Sequence, residues 1–173
     1  MDYASLIAEF GANYGLGDLV PDEDGAVGFE ADGRTVVLQK LPDSENVIVT
    51  VRLGEAVSGS EERVNRILLQ ANQSLMTLDG MALCLHPETG DYRLLSRLDV
   101  ASLDFIAFDK IMETILDRAE QWGALLRKII PIASSNAAAL AESNGEDAAA
   151  DKESAPSMTG WDALRQMGST TFA

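Results

Sequence analysis

The sequence predicts an α+β fold in which an antiparallel sheet packs against helices in the order α-β-β-β-α-β-β-α, followed by a C-terminal tail. Three observations carry this. Three segments repeat apolar residues at steps of three and four, the mark of a helix with one buried face. The segments between them alternate apolar and polar residues, as half-buried strands do. Asp32–Gly33 stands between two such strands and is a strong two-residue hairpin signal.

The first helix is "DYASLIAEFGANYGLG". Tyr3, Leu6, Ile7, Phe10 and Tyr14 fall on one face, and Gly15 and Gly17 are natural stops. "LVPDEDG" reads as a polar turn. "AVGFEADGRTVVLQKL" then has strand chemistry on both sides of Asp32–Gly33, and "PDSEN" makes the next turn. In "NVIVTVRLG", Val47, Val49, Val51 and Leu53 alternate with Ile48, Thr50 and Arg52, so residues 26–53 read as three antiparallel strands. The second helix, "SGSEERVNRILLQANQSLM", takes Ser58 or Ser60 as its cap and buries Val64, Ile67, Leu68, Ala71 and Leu75. Two strands follow around the "HPETGD" turn, with Pro87 and Gly90 as punctuation. The last helix runs through "ASLDFIAFDKIMETILDRAEQWGALLRKII". Its stripe is Phe108, Ile111, Ile115, Ala119, Trp122, Leu126 and Ile129, and Pro131 is expected to stop it.

Residues 132–159 are rich in Ala, Ser, Asn and acidic side chains and read as a flexible linker after a folded domain of residues 1–131. Residues 160–173 open with "GWDALRQM", whose Trp161, Leu164 and Met167 regain helical spacing. Three fates are open to this segment: a tethered competitor for the chain's own binding groove, a permanent pack on the core, or a site for another protein.

Charge narrows the partners. Twenty-eight acidic residues against 13 basic ones leave a formal net charge of −15. Residues 1–130 hold 22 of those acids and 11 of the bases, so the acidity belongs to the folded part. Such a surface repels phosphates, which argues against nucleic acid and anionic membranes as partners. The N-terminal stretch lacks the basic and apolar regions of a signal peptide, and no run reaches the length of a membrane span. A single cysteine fits a reducing compartment. The expectation is a cytoplasmic protein.

No catalytic or metal constellation stands out. Cys84 and His86, the only residues of their kinds, lie two apart and would share a strand face. No third group orients the imidazole and no oxyanion hole is in view, so a structural role is expected for both. Asp22, Glu23 and Asp24 precede Gly25, but Val20 and Phe29 occupy positions where a calcium loop needs acids. The glycines at 11, 15 and 17 follow a helix rather than a strand, so they are not a phosphate cradle. No catalytic residue, metal ligand or cofactor is assigned.

One stretch carries a more specific signal. "LLQANQSLMTLDGMALCLHPETGDYRLLSRLDVASLDFIAFDKIMETILDRAEQW", residues 68–122, resembles the class I type III secretion chaperones, the Tir-chaperone (CesT-like) family. A helix ending in "LLQAN", Gly80 entering a strand, the "HPETGDYRLL" hairpin and the closing helix carry the resemblance, which extends over about residues 1–130. It implies a cytoplasmic homodimer that binds the N-terminal segment of a secretion effector and keeps it extended without consuming nucleotide. It further implies the secretion system's export ATPase as a candidate partner. The first helix and first strands would supply the groove, with Leu6, Ile7, Phe10, Val27, Phe29, Val36 and Leu38 as candidate effector-binding residues. Leu69, Leu75, Met81, Leu83 and Leu85 correspond to the dimer contact of resembling proteins. An apolar helical stripe serves equally well as core, and that alternative stays open for each residue. A regulator or adaptor that binds a folded partner is the competing function, and an enzyme using Cys84 and His86 a third.

Overall fold

The computed structural model describes residues 2–144, with side chains through Ser135. The elements are α1 (Tyr3–Tyr14), β1 (Ala26–Ala31), β2 (Arg34–Lys40), β3 (Asn46–Glu55), α2 (Glu61–Leu78), β4 (Met81–Leu85), β5 (Asp91–Asp99), a 3-10 turn (Val100–Ser102) and α3 (Phe105–Asn144). The five strands form one antiparallel sheet in the order β1-β2-β3-β5-β4. This is the expected α+β architecture in the expected order.

Local chemistry explains each boundary. Asp2 caps α1 by accepting from the Ser5 N–H at 2.9 Å. Gly15, with φ 65°, ends it. Asp32 and Gly33 have φ 51° and 70°, the pair of positive values a type I′ hairpin needs. Ser60 stands at the N-cap of α2 as expected, yet its hydroxyl donates to the Val57 carbonyl at 2.6 Å and leaves the helix N–H groups to other partners. Asp104, not Ala101, opens α3, accepting from the Ala107 N–H at 2.8 Å.

Pro131 does not stop the last helix, which continues to Asn144. A proline removes one helical hydrogen bond and crowds the preceding turn. Two features carry the helix past it: Ala133 is buried against the core, and Ala137 to Ala139 are strong helix formers. The expected linker therefore begins with helix. The tail segment at 160–173 lies outside the described residues.

One sheet face is apolar apart from the buried Ser96. Val27, Phe29, Val36, Leu38, Val47, Val49, Val51, Leu94, Met81 and Leu83 point to it and are buried with the inner faces of the helices. The opposite face carries Thr35, Gln39, Thr50, Arg93 and Arg97. Alternation with period two produces this split.

Candidate binding cleft and sheet edge

Sheet order leaves two strands at the edges, β1 and β4. They differ in what meets their free backbone groups. At the middle of β4, the Asn72 side chain from α2 donates to the Leu83 carbonyl at 2.9 Å and accepts the Leu83 N–H at 2.7 Å. A side-chain amide thus replaces a neighbouring strand. On β1 the register with β2 directs the backbone of Gly28 and Glu30 outward, whereas Ala26 is already bonded to Asp22. Two residues of β1 remain open for pairing.

Beside that open edge lies a cleft of about 450 Å³ between α1, β1 and α3. Its floor is aromatic. The Phe10 ring lies 4.7 Å from Tyr14, 5.7 Å from Phe29 and 5.7 Å edge-on from Phe108. Leu16, Ala31 and Leu116 complete the apolar lining, and Glu30, Asp32, Glu113 and Asp117 form an acidic rim. Tyr14 donates to Asp109 at 2.8 Å, and that bond to a carboxylate raises the phenol's pKa. Tyr3, deeper in α1, is pushed up to about 12 by burial, with its hydroxyl on the Leu38 carbonyl at 3.2 Å.

Burial alone does not separate the residues singled out from sequence, since Phe10 is 3% and Val27 7% exposed; the cleft lining does. Of the seven groove candidates, Phe10 and Phe29 line the cleft. Leu6, Ile7, Val36 and Leu38 are 0% exposed and Val27 is buried, so these five form the core behind it. Among the dimer candidates, Leu69 is 72% exposed and Leu85 41%. Leu75, Met81 and Leu83 are enclosed within the chain. Leu69 and Leu85 share a shallow depression with Leu83, Asn65 and Cys84, and Met76 and Leu78 are further exposed apolar residues of α2. Sequence reasoning missed Leu16, Ala31, Leu116 and the acidic rim. Leu116 sits next to the buried Ile115, one step off the stripe, and that offset is the one signal available.

Cys84 and His86 are not arranged as nucleophile and base. Burial pushes the Cys84 thiol up, against the thiolate that nucleophilic attack requires, although nearby Arg93 opposes this. The His86 Nδ1 accepts the Thr89 N–H at 3.3 Å and faces the Thr89 hydroxyl at 3.0 Å, binding the ring into the hairpin turn. Among the described residues no three His, Cys, Asp or Glu side chains converge on a common point suited to a metal. No described helix is long and apolar enough to cross a membrane.

Comparison with known proteins adds to this geometry. Residues 5–123 match the Tir chaperone protein (CesT) family. No curated protein matches by sequence. Among solved structures, a chain of the ExsC–ExsE complex is 27% identical, with a TM-score of 0.64 over 73% of this chain and 97% of that one. A chain of the HopA1–SchA chaperone–effector complex is 18% identical, with a TM-score of 0.60 over 70% and 93%. A chain of the complex of the Yersinia pestis type III secretion chaperone SycH with a stable fragment of YscM2 is 19% identical, with a TM-score of 0.53 over 69% and 98%.

Proposed function

This chain belongs to the Tir chaperone protein (CesT) family, and on that premise we propose that it is a cytoplasmic type III secretion chaperone. It binds the N-terminal segment of an effector, keeps that segment extended and soluble, and delivers it for export without hydrolysing nucleotide. Solved structures of similar fold include a chaperone–effector complex and a type III secretion chaperone with a partner fragment, which supports this reading.

The observation that carries it is the pairing of an open strand edge with an apolar cleft. An extended segment that adds a strand to β1 satisfies Gly28 and Glu30 through its backbone and needs no particular sequence for that. Its alternate side chains point inward, and one of them enters the Phe10–Phe29 cleft. Backbone pairing supplies affinity and the cleft supplies selection. Leu6, Ile7, Val27, Val36 and Leu38 act from behind, fixing the two phenylalanines in place. A homodimer forms through α2 and β4, with Leu69 and Leu85 at the contact. The export ATPase is the partner that receives the loaded complex.

The test uses the full-length tagged chain produced in cells that carry a type III secretion system, with limited proteolysis of what it retains. Ala31→Trp places an indole in the cleft at a half-buried position that packs against the core edge, and a thermal melt of the variant checks that the fold is kept. The expected result is one retained protein protected over an N-terminal stretch, and a loss of about tenfold or more in its retention by the variant. An intact folded partner with no protected segment, or equal retention by the variant, overturns the reading and favours an adaptor.

A further inference from the structure

In a chain so acidic, two guanidinium groups that converge without forming an ion pair call for a reason. They do so just across the β1–β2 turn from the aromatic cleft. A concavity of about 200 Å³ lies between Asp32–Gly33, the β3 bulge at Leu53–Gly54 and α3, and Arg34, Arg52 and Arg127 line it. α3 passes beside β3 here at Gly123. The position a Cβ on Gly123 would occupy is 3.5 Å from the Leu53 carbonyl, 3.5 Å from Arg127 Nη1 and 3.7 Å from Arg34 Nε. Two guanidinium groups therefore gather about one point. Arg52 is paired, with Glu55 at 2.9 Å and Asp91 at 3.7 Å. Arg34 and Arg127 form no ion pair among the described residues. Arg34 reaches only the Asp32 backbone carbonyl, at 3.5 Å.

Charge of the opposite sign stands on the other side of the turn. The cleft that holds Phe10 and Phe29 is rimmed by Glu30, Asp32, Glu113 and Asp117 and has no basic lining residue. Asp32 belongs to both hollows, so they adjoin. Along α3 the rise from Asp117 to Arg127 is about 15 Å, which an extended chain covers in about four to five residues.

We propose that Arg34 and Arg127 receive an acidic side chain of the polypeptide bound in the adjoining cleft, while the cleft's carboxylate rim receives a basic one. The inference rests on the chaperone reading and deepens it by naming the client's charge pattern. The preferred client segment carries an apolar residue beside Lys or Arg, and Asp or Glu about five residues away. A carboxylate is matched by the guanidinium pair through charge-assisted hydrogen bonds. A nucleic acid is not, because its continuous phosphates meet the acidic rim next door.

The experiment is selection of a displayed library of random linear peptides on the full-length protein, on Arg127→Glu and on the double variant Arg34→Glu/Arg127→Glu. Thermal melting and sedimentation accompany each selection, and Arg127 is exposed, so the single variant serves if the double variant fails to fold. The unaltered protein is expected to enrich peptides with an apolar–basic pair and an acid about five residues from it. The double variant is expected to replace that acid with Lys or Arg at the same spacing, and Arg127→Glu to reduce the acid's enrichment about tenfold. Enrichment of apolar–basic peptides with no preference at the second position overturns the inference while leaving the chaperone reading intact. So does an acid preference that the variants leave unchanged. Failure of the unaltered protein to enrich any peptide overturns the chaperone reading, and this inference with it.

Discussion

Gly11 and Gly123 lie inside helices and look equivalent in sequence, each giving up about 1 kcal/mol of helix propensity relative to alanine. Their surroundings are not equivalent. A Cβ at Gly11 would stand 2.7 Å from the Gly17 carbonyl and 2.9 Å from Leu19 Cγ, so the loop after α1 must move. At Gly123 the nearest atoms are at 3.5 Å, ordinary contact distance, and two of the three neighbours are ends of flexible arginines. Gly11→Ala is therefore expected to lower the melting temperature by about 2–6 °C through overpacking. Gly123→Ala is expected to raise it by about 1–3 °C. Circular dichroism melts of both variants check this, and shifts of the same sign would refute the packing argument. The same distinction explains which groove residues were legible. Periodicity placed Leu6, Ile7 and Phe10 on one face, but it cannot tell a ring edge at a cleft from a side chain sealed behind it.

At the scale of elements, the two sheet edges behave differently because of one side chain. Asn72 gives both hydrogen bonds of its amide to Leu83, closing the middle of β4. Asn72→Ala removes both and leaves two backbone groups of a buried residue without partners. A loss of about 2 kcal/mol in unfolding free energy is expected, together with a greater tendency to self-associate through the uncovered edge. Urea titration with light scattering measures both, and a change under about 0.5 kcal/mol would show the amide to be dispensable. Nothing in "LLQANQSLM" announces this role, because it depends on α2 lying beside β4 (a long-range pairing). Hairpin chemistry, by contrast, is local. Asp32–Gly33 could be placed from two residues, since the positive φ values of a type I′ turn select for such a pair. The proline rule failed at Pro131 for a related reason: burial of Ala133 and the helix preference of the alanines beyond it outweigh one lost bond.

At the scale of the whole molecule, the proposed homodimer uses the face of α2 and β4. Leu69, Met76 and Leu85 are exposed on this side of α2 and β4, and the buried Leu83 borders the same depression as Leu69 and Leu85. Sedimentation equilibrium is expected to report twice the 18.5 kDa chain mass. Leu69→Glu/Leu85→Glu should return it to a folded monomer, since placing carboxylates at a desolvated contact is costly while exposed positions tolerate them. A double variant that remains dimeric would move the contact elsewhere. Its acidic surface, at −15, keeps the free protein soluble and makes the convergence of Arg34 and Arg127 stand out electrostatically.

Periodicity, turn chemistry and charge were readable from the amino-acid string because each depends on residues near one another in the chain. They determine the number, kind and order of the elements and the acidity of the surface. The cleft rim of Glu30 and Glu113, the amide that closes β4, and the meeting of Arg34 with Arg127 join residues far apart in sequence. Those depend on the register of β1 with β2 and on where α3 crosses the sheet. Sheet register and helix crossing are set by the sum of many packed contacts, so no short stretch of sequence carries them.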